Sequence, residues 1–192
     1  KLQDDELFEK ADKLKKDSKN QAKNLEQLVE LTKRFYVEKK AEQIADKLNK
    51  LAEKEDKLAN ENKNNLEEQK KVADEFEKIK EELQQLDKEN KDLKKPMDIP
   101  NDKNEQEDVQ EDLEKSEEDL KKNDKPSASK SQKSAGKKMK EMSQKMSSSM
   151  EGGESQQMEE DAKALRQILD NLLAFSYDEE ALIQPTKSSQ SR

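Results

Sequence analysis

The chain has 192 residues, of which 45% are charged and 28% hydrophobic, and its formal net charge at pH 7 is −8. It contains no Cys, His or Trp, which excludes disulfides and thiolate chemistry. A chain this polar cannot bury a large globular core, but its few apolar residues recur periodically, which is typical of long helices and coiled coils. No run of 18 apolar residues is present, so we predict no membrane span, and we identify no signal peptide.

The first predicted element is one long coiled-coil helix over residues 1–95. Apolar residues in 4–37 keep a 3–4 spacing, and the register then shifts by two residues between Thr32 and Ala41, which predicts a continuing helix with a rotated apolar seam. A second register from Ala41 to Leu93 predicts a helix laid along a partner helix. Its seam consists of Ile44, Leu48, Leu51, Leu58, Val72, Phe76, Ile79, Leu83, Leu86 and Leu93.

The middle of this seam is polar. Glu55 and Gln69 stand at positions where apolar residues are expected, and the Asn-rich run 60–65 has poor helix propensity. Two interpretations remain open at this point: a solvated weak spot in one helix, or the turn of a helical hairpin. Alanines beside the seam favour a bundle or a close antiparallel pair over a simple parallel dimer.

Residues 96–102 form a Pro-containing break, with Asn101 or Asp102 as the cap of the next helix. Residues 96–125 carry 5 basic and 12 acidic side chains, and 126–150 carry 6 basic and 1 acidic. Blocks of opposite sign predict that residues 103–150 form an acidic/basic helical hairpin. The Pro- and Ser-containing stretch 123–131 is the predicted linker between its two arms.

The most apolar segment follows a predicted break at Gly152 and Gly153 and spans 154–183, as a helix and a turn. A stripe this wide needs a cover, either this chain folded back on itself or another chain, so residues 156–183 are the candidate docking element. We expect Leu169 and Leu172 at the centre of that contact, and residues 184–192 as a disordered tail. The candidate docking residues are Leu165, Ile168, Leu169, Leu172, Leu173 and Phe175.

No stretch carries a recognisable catalytic, metal or cofactor site. The run Met139, Met142, Met146 and Met150 has thioethers that suit Cu(I), but its 3–4 spacing equally describes a buried stripe, and no His or Cys accompanies it. The lysines after Gly136 lack the rest of a phosphate loop, and their surroundings lack the aromatics of a nucleic-acid site. We therefore predict no enzyme activity, no cofactor, no metal and no nucleic-acid partner.

Three stretches carry a resemblance to a known family: 92–100 (DLKKPMDIP), 128–146 (ASKSQKSAGKKMKEMSQKM) and 164–183 (ALRQILDNLLAFSYDEEALI). Over roughly residues 40–183 the chain resembles the helical soluble region of large membrane-anchored Bacteroidetes proteins, labelled domain of unknown function 4175. The resemblance implies a long coiled-coil body, a membrane anchor outside this chain and a place in the cell envelope, on the periplasmic side of the inner membrane. It supplies no catalytic residues. Because the chain starts at Lys1 and departs from the family after Ile183, we expect a fragment of a longer protein.

Together these observations predict an all-α chain, with a long coiled-coil helix followed by shorter helices that fold back as hairpins. The predicted function is a non-enzymatic structural or scaffolding segment of a cell-envelope protein. The alternative is a protein-binding module that docks a partner helix through residues 156–183. The predicted partner is protein, either a second copy or another helical chain, and membrane association would come only through an anchor outside this chain.

Overall fold

The computed structural model describes residues 2–61 and 64–189, with side chains described at 8–9, 12–13, 15–61, 64–150 and 159–177. The described residues form four helices: α1 (Leu2–Asn60), α2 (Leu66–Lys91), α3 (Lys103–Lys121) and α4 (Lys125–Ser189). The predicted all-α class is confirmed. The chain divides into two compact units. We call residues 1–33 with 155–192 the two-helix unit, and residues 34–154 the four-helix unit.

The predicted single helix over residues 1–95 is wrong, because α1 ends at Asn60 and α2 begins at Leu66. Asparagine side chains make hydrogen bonds to backbone carbonyls at the end of α1. Asn60 donates to the carbonyl of Asp56 at 2.8 Å. Asn64 donates to the carbonyl of Leu120 at 3.0 Å, which fixes this connection against the end of α3. Asn competes with the backbone for hydrogen bonds, so it terminates a helix readily when another element accepts those bonds.

Ion pairs establish that α1 and α2 run antiparallel within the four-helix unit. Lys40 pairs with Glu89 at 2.7 Å. Seven residues further along α1, Lys47 pairs with Glu82 at 2.6 Å, seven residues back along α2. One further step in each direction brings Lys54 to Glu75, also at 2.6 Å. The constant seven-residue step fixes the register of the two helices.

The core of the four-helix unit holds the ten seam residues predicted from the sequence. All of them are buried except Leu58, which is partly buried and packs against the others. The remaining helices complete this core with Val109 and Leu113 from α3 and Ala135, Met139, Met142 and Met146 from α4. Met139, Met142 and Met146 therefore fill space in the core, which suits the flexible shape of the thioether side chain.

Small residues bring α1 and α4 close together. Ser143 donates to the carbonyl of Ala45 at 2.7 Å, and Ser129 donates to the carbonyl of Ala59 at 2.6 Å. Midway between them, a Cβ added at Gly136 would lie 3.2 Å from the carbonyl oxygen of Ala52. Both series, 45–52–59 and 129–136–143, advance by seven residues in opposite directions. Only small side chains allow two helix backbones to approach this closely.

The connection between α3 and α4 is much shorter than the predicted linker over 123–131, which is wrong in extent. Asn123 has a φ of 60°, and the next N–H, of Asp124, donates to the carbonyl of Asp119 at 2.8 Å. This left-handed residue with its 6→1 hydrogen bond is a Schellman cap. Asp124 then accepts hydrogen bonds from the backbone and hydroxyl of Ser127, so α4 starts at once. Pro126 is tolerated because the first turn of a helix needs no N–H donor there.

Opposite charges meet where α3 lies beside α4. Lys138 pairs with Asp112 at 2.7 Å, and Lys145 pairs with Glu105. The predicted cap of α3 is confirmed, since the side chain of Asp102 accepts from the N–H of Asn104 at 2.9 Å.

Helix α4 continues where the sequence predicted two interruptions. It passes through Gly152 and Gly153, because a glycine inside a helix costs only about 1 kcal/mol relative to alanine and does not by itself end the helix. It also reaches Ser189, so the predicted disordered tail over 184–192 is wrong up to that residue. Residues 190–192 lie outside the described part of the chain.

Candidate functional site

The predicted docking residues lie on α4 in the two-helix unit, and most of them face solvent. Ile168 is buried, with 4% of its surface exposed. By contrast, Leu169 is 57% exposed and Leu172 is 43% exposed, so these two do not lie at the centre of a contact within this chain. That they form the centre of a contact with another chain stays a prediction. Leu165 and Leu173 are also exposed, and Phe175 is partly buried. The helix turns 100° per residue, so it can direct Ile168 inward and Leu169 outward.

The inward side of α4 meets α1 within the same unit. Asn171 donates to the side chain of Asn24 at 3.2 Å, and Asn24 is 7% exposed. Leu28 and Ile168 line a groove of about 250 Å³ beside this contact. The described part of the contact between the two helices is thus partly polar.

Exposed apolar side chains of α1 and α4 border one groove and continue along the surface of α4. Leu25 of α1 and Leu172 of α4 line this groove, although both are largely exposed. Val29 lies one turn after Leu25, and Leu165 and Leu169 lie within about 60° of Leu172 on α4. Leu173 and Tyr177 continue from Leu169 in steps of four and lie about 100° and 140° from Leu172. We call this set the apolar face; its members are Leu25, Val29, Leu165, Leu169, Leu172, Leu173 and Tyr177.

The apolar face is large for a surface in contact with water. Its seven side chains are each between 43% and 69% exposed. At roughly 100 Å² for a half-exposed side chain of this size, the five side chains nearest the groove (Leu25, Val29, Leu165, Leu169 and Leu172) present about 500 Å² of apolar surface, in the size range of the largest and often functional patch of a soluble monomer. A patch of this size marks an interaction site more often than a chance cluster of exposed residues.

The four-helix unit contains a different unusual feature, a buried polar layer near the α1–α2 connection. Glu55 is fully buried, and one of its oxygens accepts from Gln69 Nε2 at 2.8 Å. Gln69 in turn accepts from Gln132 Nε2 at 2.6 Å. The second carboxyl oxygen of Glu55 is buried without a hydrogen-bond partner.

Burial raises the pKa of Glu55 from 4.5 to about 8, against the opposing effect of the Gln69 hydrogen bond and with a further increase from the nearby Asp56. The carboxyl is therefore mostly neutral at pH 7. An enclosed group cannot touch a substrate, so this layer acts on stability and on the register of the helices.

The described residues also contain neither a candidate metal site nor a candidate membrane-spanning helix. The residues that the structure describes contain no group of three or more His, Cys, Asp or Glu side chains that could hold a metal ion. None of the helices in the same described residues combines the length and the apolar character needed to cross a bilayer. Two exposed rings of the four-helix unit, Phe35 and Tyr36, each lie beneath a lysine ammonium at 5.7 and 5.6 Å.

Comparison of the chain with known protein families, with curated proteins and with solved structures finds no match. The resemblance to the Bacteroidetes family stays a prediction.

The α1 half of the apolar face could not be predicted from the sequence. Leu25 belonged to the first predicted register, but nothing in the sequence paired that segment with residues 165–177. The polar layer was visible as Glu55 and Gln69 in seam positions, and their pairing follows once the connection at 60–66 is known. The three lysine–glutamate pairs between α1 and α2 could have indicated this connection. In each pair, the two residues are equally distant along the sequence from a point near residue 64.

Proposed function

We propose that this chain is a non-enzymatic scaffolding segment of a cell-envelope protein, and that its two-helix unit docks another helical protein chain. The four-helix unit serves as the structural body, and the two-helix unit provides the binding surface. The observation that carries the proposal is the apolar face, because it is the part of the described chain where leucines in a regular 3–4 pattern remain uncovered.

The contrast between the two units supports this assignment. In the four-helix unit, apolar residues of the same spacing are covered on all sides, and side chains such as Leu48 and Leu113 are at most 1% exposed. In the two-helix unit, Leu169 and Leu173 have the same heptad-like spacing but remain about half exposed. A helix with such a stripe is stabilised mainly by tertiary packing, so an uncovered stripe fits an element whose partner is another helix.

Coiled-coil packing against that partner is part of the proposal. The cell-envelope location and the anchor outside this chain rest on the resemblance of residues 92–100, 128–146 and 164–183 to the Bacteroidetes family. The scaffolding role is also supported by the ion pairs between helices of the four-helix unit, such as Lys47 with Glu82 and Lys138 with Asp112.

Site-specific photo-crosslinking in cells that make the protein natively tests this proposal. A photoreactive amino acid is placed at Leu169, on the apolar face, or at Gln167, an exposed polar position on the same helix whose direction is about 160° away. We expect protein crosslinks from position 169 and few from 167, and mass spectrometry of the products identifies the partner. Equal crosslinking from both positions, or none from either, contradicts a docking role for this face.

A further inference from the structure

We infer that the chain docking on the apolar face is a second copy of this protein, so that two two-helix units join into a four-helix core. This inference rests on the proposed docking function and names its partner. The area of the apolar face, its composition and the packing of the four-helix unit support a second copy as the partner.

The area is compatible with a stable dimer. One partner of a standard protein interface contributes about 800 Å², of which the five apolar side chains nearest the groove supply roughly 500 Å² and the surrounding polar rim the remainder. The face is also self-complementary in composition, since it consists of five leucines, a valine and a tyrosine. Such a surface can pack on an identical one related by a two-fold axis, where every contact occurs twice.

The width of the face favours two helices as its cover. The face is formed by α1 and α4 together, with Leu25 and Val29 on one helix and Leu169 and Leu173 on the other. A second copy brings two helices with the same apolar pattern and the same antiparallel order, so each copy covers both stripes of the other. The four-helix unit demonstrates that antiparallel helices of this composition close into a shared core when four are present.

The residues described at the internal contact give the same indication. Within one copy, the described contact between α1 and α4 of this unit buries Ile168 and Asn24, whereas Asn171, which donates to Asn24, stays exposed. Addition of a second copy would convert Leu169 and Leu172 from exposed residues into core residues, which is the arrangement their spacing predicts.

Sedimentation equilibrium of the purified full chain tests the inference. We expect wild type to reach twice its 22.3 kDa monomer mass as concentration rises. Leu169→Asp places two charges in the dimer interface, one from each copy, and should raise the dissociation constant at least about 30-fold, the effect of losing a hot-spot contact. Gln167→Asp adds the same charge to the same helix away from the face and should dimerise like wild type. Circular dichroism checks that both variants keep the helical content of wild type.

A second experiment does not depend on how the charged variant folds. The chain has no cysteine, so Leu169→Cys and Gln167→Cys each carry a single thiol. A short bis-maleimide should link two copies through position 169 and not through position 167. A wild type that stays monomeric at every concentration, or equal linking from both positions, overturns the second copy as partner. If cellular photo-crosslinks from position 169 then identify a different protein, the docking function stands and only its partner changes.

Discussion

The buried carboxyl of Glu55 gives a quantitative prediction about the four-helix unit. Glu55→Gln keeps the shape of the side chain and an oxygen to accept the hydrogen bond from Gln69. It removes the only feature of Glu55 that depends on pH, the equilibrium between a neutral and a charged buried group. The substitution should therefore stabilise the chain at neutral and alkaline pH.

The sign and size follow from the pKa values. The folded-state pKa of Glu55 is about 8, above its ordinary value of 4.5. Between these values the folded chain holds a proton that the unfolded chain releases, so the free energy of unfolding of wild type falls as pH rises through this window. At about 1.4 kcal/mol per pH unit, the loss reaches about 3 kcal/mol at pH 7 and levels off above about pH 8.

Urea unfolding monitored by circular dichroism at several pH values between 4 and 9 measures this effect. The difference between Glu55→Gln and wild type should grow by about 1.4 kcal/mol per pH unit from about pH 5 to about pH 7.5. Glu53→Gln removes the same charge from an exposed position two residues away and reports the contribution of net charge alone. A difference for Glu55→Gln that does not change with pH would refute the proposed environment of this carboxyl.

Three further predictions concern the packing and the helix register of the four-helix unit. Gly136→Leu forces a side chain against the backbone of α1 and should cost about 1–3 kcal/mol or more in unfolding free energy, whereas Lys140→Leu, exposed on the same helix, should change it by less than about 0.5 kcal/mol. Phe76→Ala leaves a cavity at a side chain that is 1% exposed and should cost about 3–5 kcal/mol by the same assay; a cost below 1 kcal/mol would contradict its core position. Lys47→Glu should lower stability by less than about 1 kcal/mol, and the added change Glu82→Lys should recover that loss at low salt; no recovery would argue against the antiparallel register.

Several features of the fold could be predicted because they depend on local periodicity. The core positions of α1 and α2 follow directly from the seven-residue repeat, and the shift of two residues between Thr32 and Ala41 falls at the boundary between the two units. That shift rotates the apolar stripe from one set of neighbours to another without ending the helix. The cap at Asp102 is equally local, since a carboxylate before a helix has one obvious donor to accept from.

The remaining features depend on contacts between segments that are distant in sequence. The end of α1 at Asn60 is fixed by Asn64 reaching the end of α3, and the α3–α4 turn requires a left-handed Asn123, which composition alone does not reveal. The apolar face could be predicted in part, because residues 165–173 stand out by hydrophobicity, whereas Leu25 joins them only through the antiparallel pairing of α1 with α4. Gly152 and Gly153 do not end α4 as the sequence predicted, since each costs a helix only about 1 kcal/mol relative to alanine.

The central claim is that the apolar face is covered by another chain in the assembled protein. Single-cysteine scanning over residues 162–177, with maleimide labelling in cells that make the protein natively, tests it most directly because the chain has no cysteine of its own. We predict slow labelling at positions 165, 169, 172 and 173 and fast labelling at 167 and 170, a protection pattern with the spacing of three and four. Uniformly fast labelling along this segment would contradict the claim.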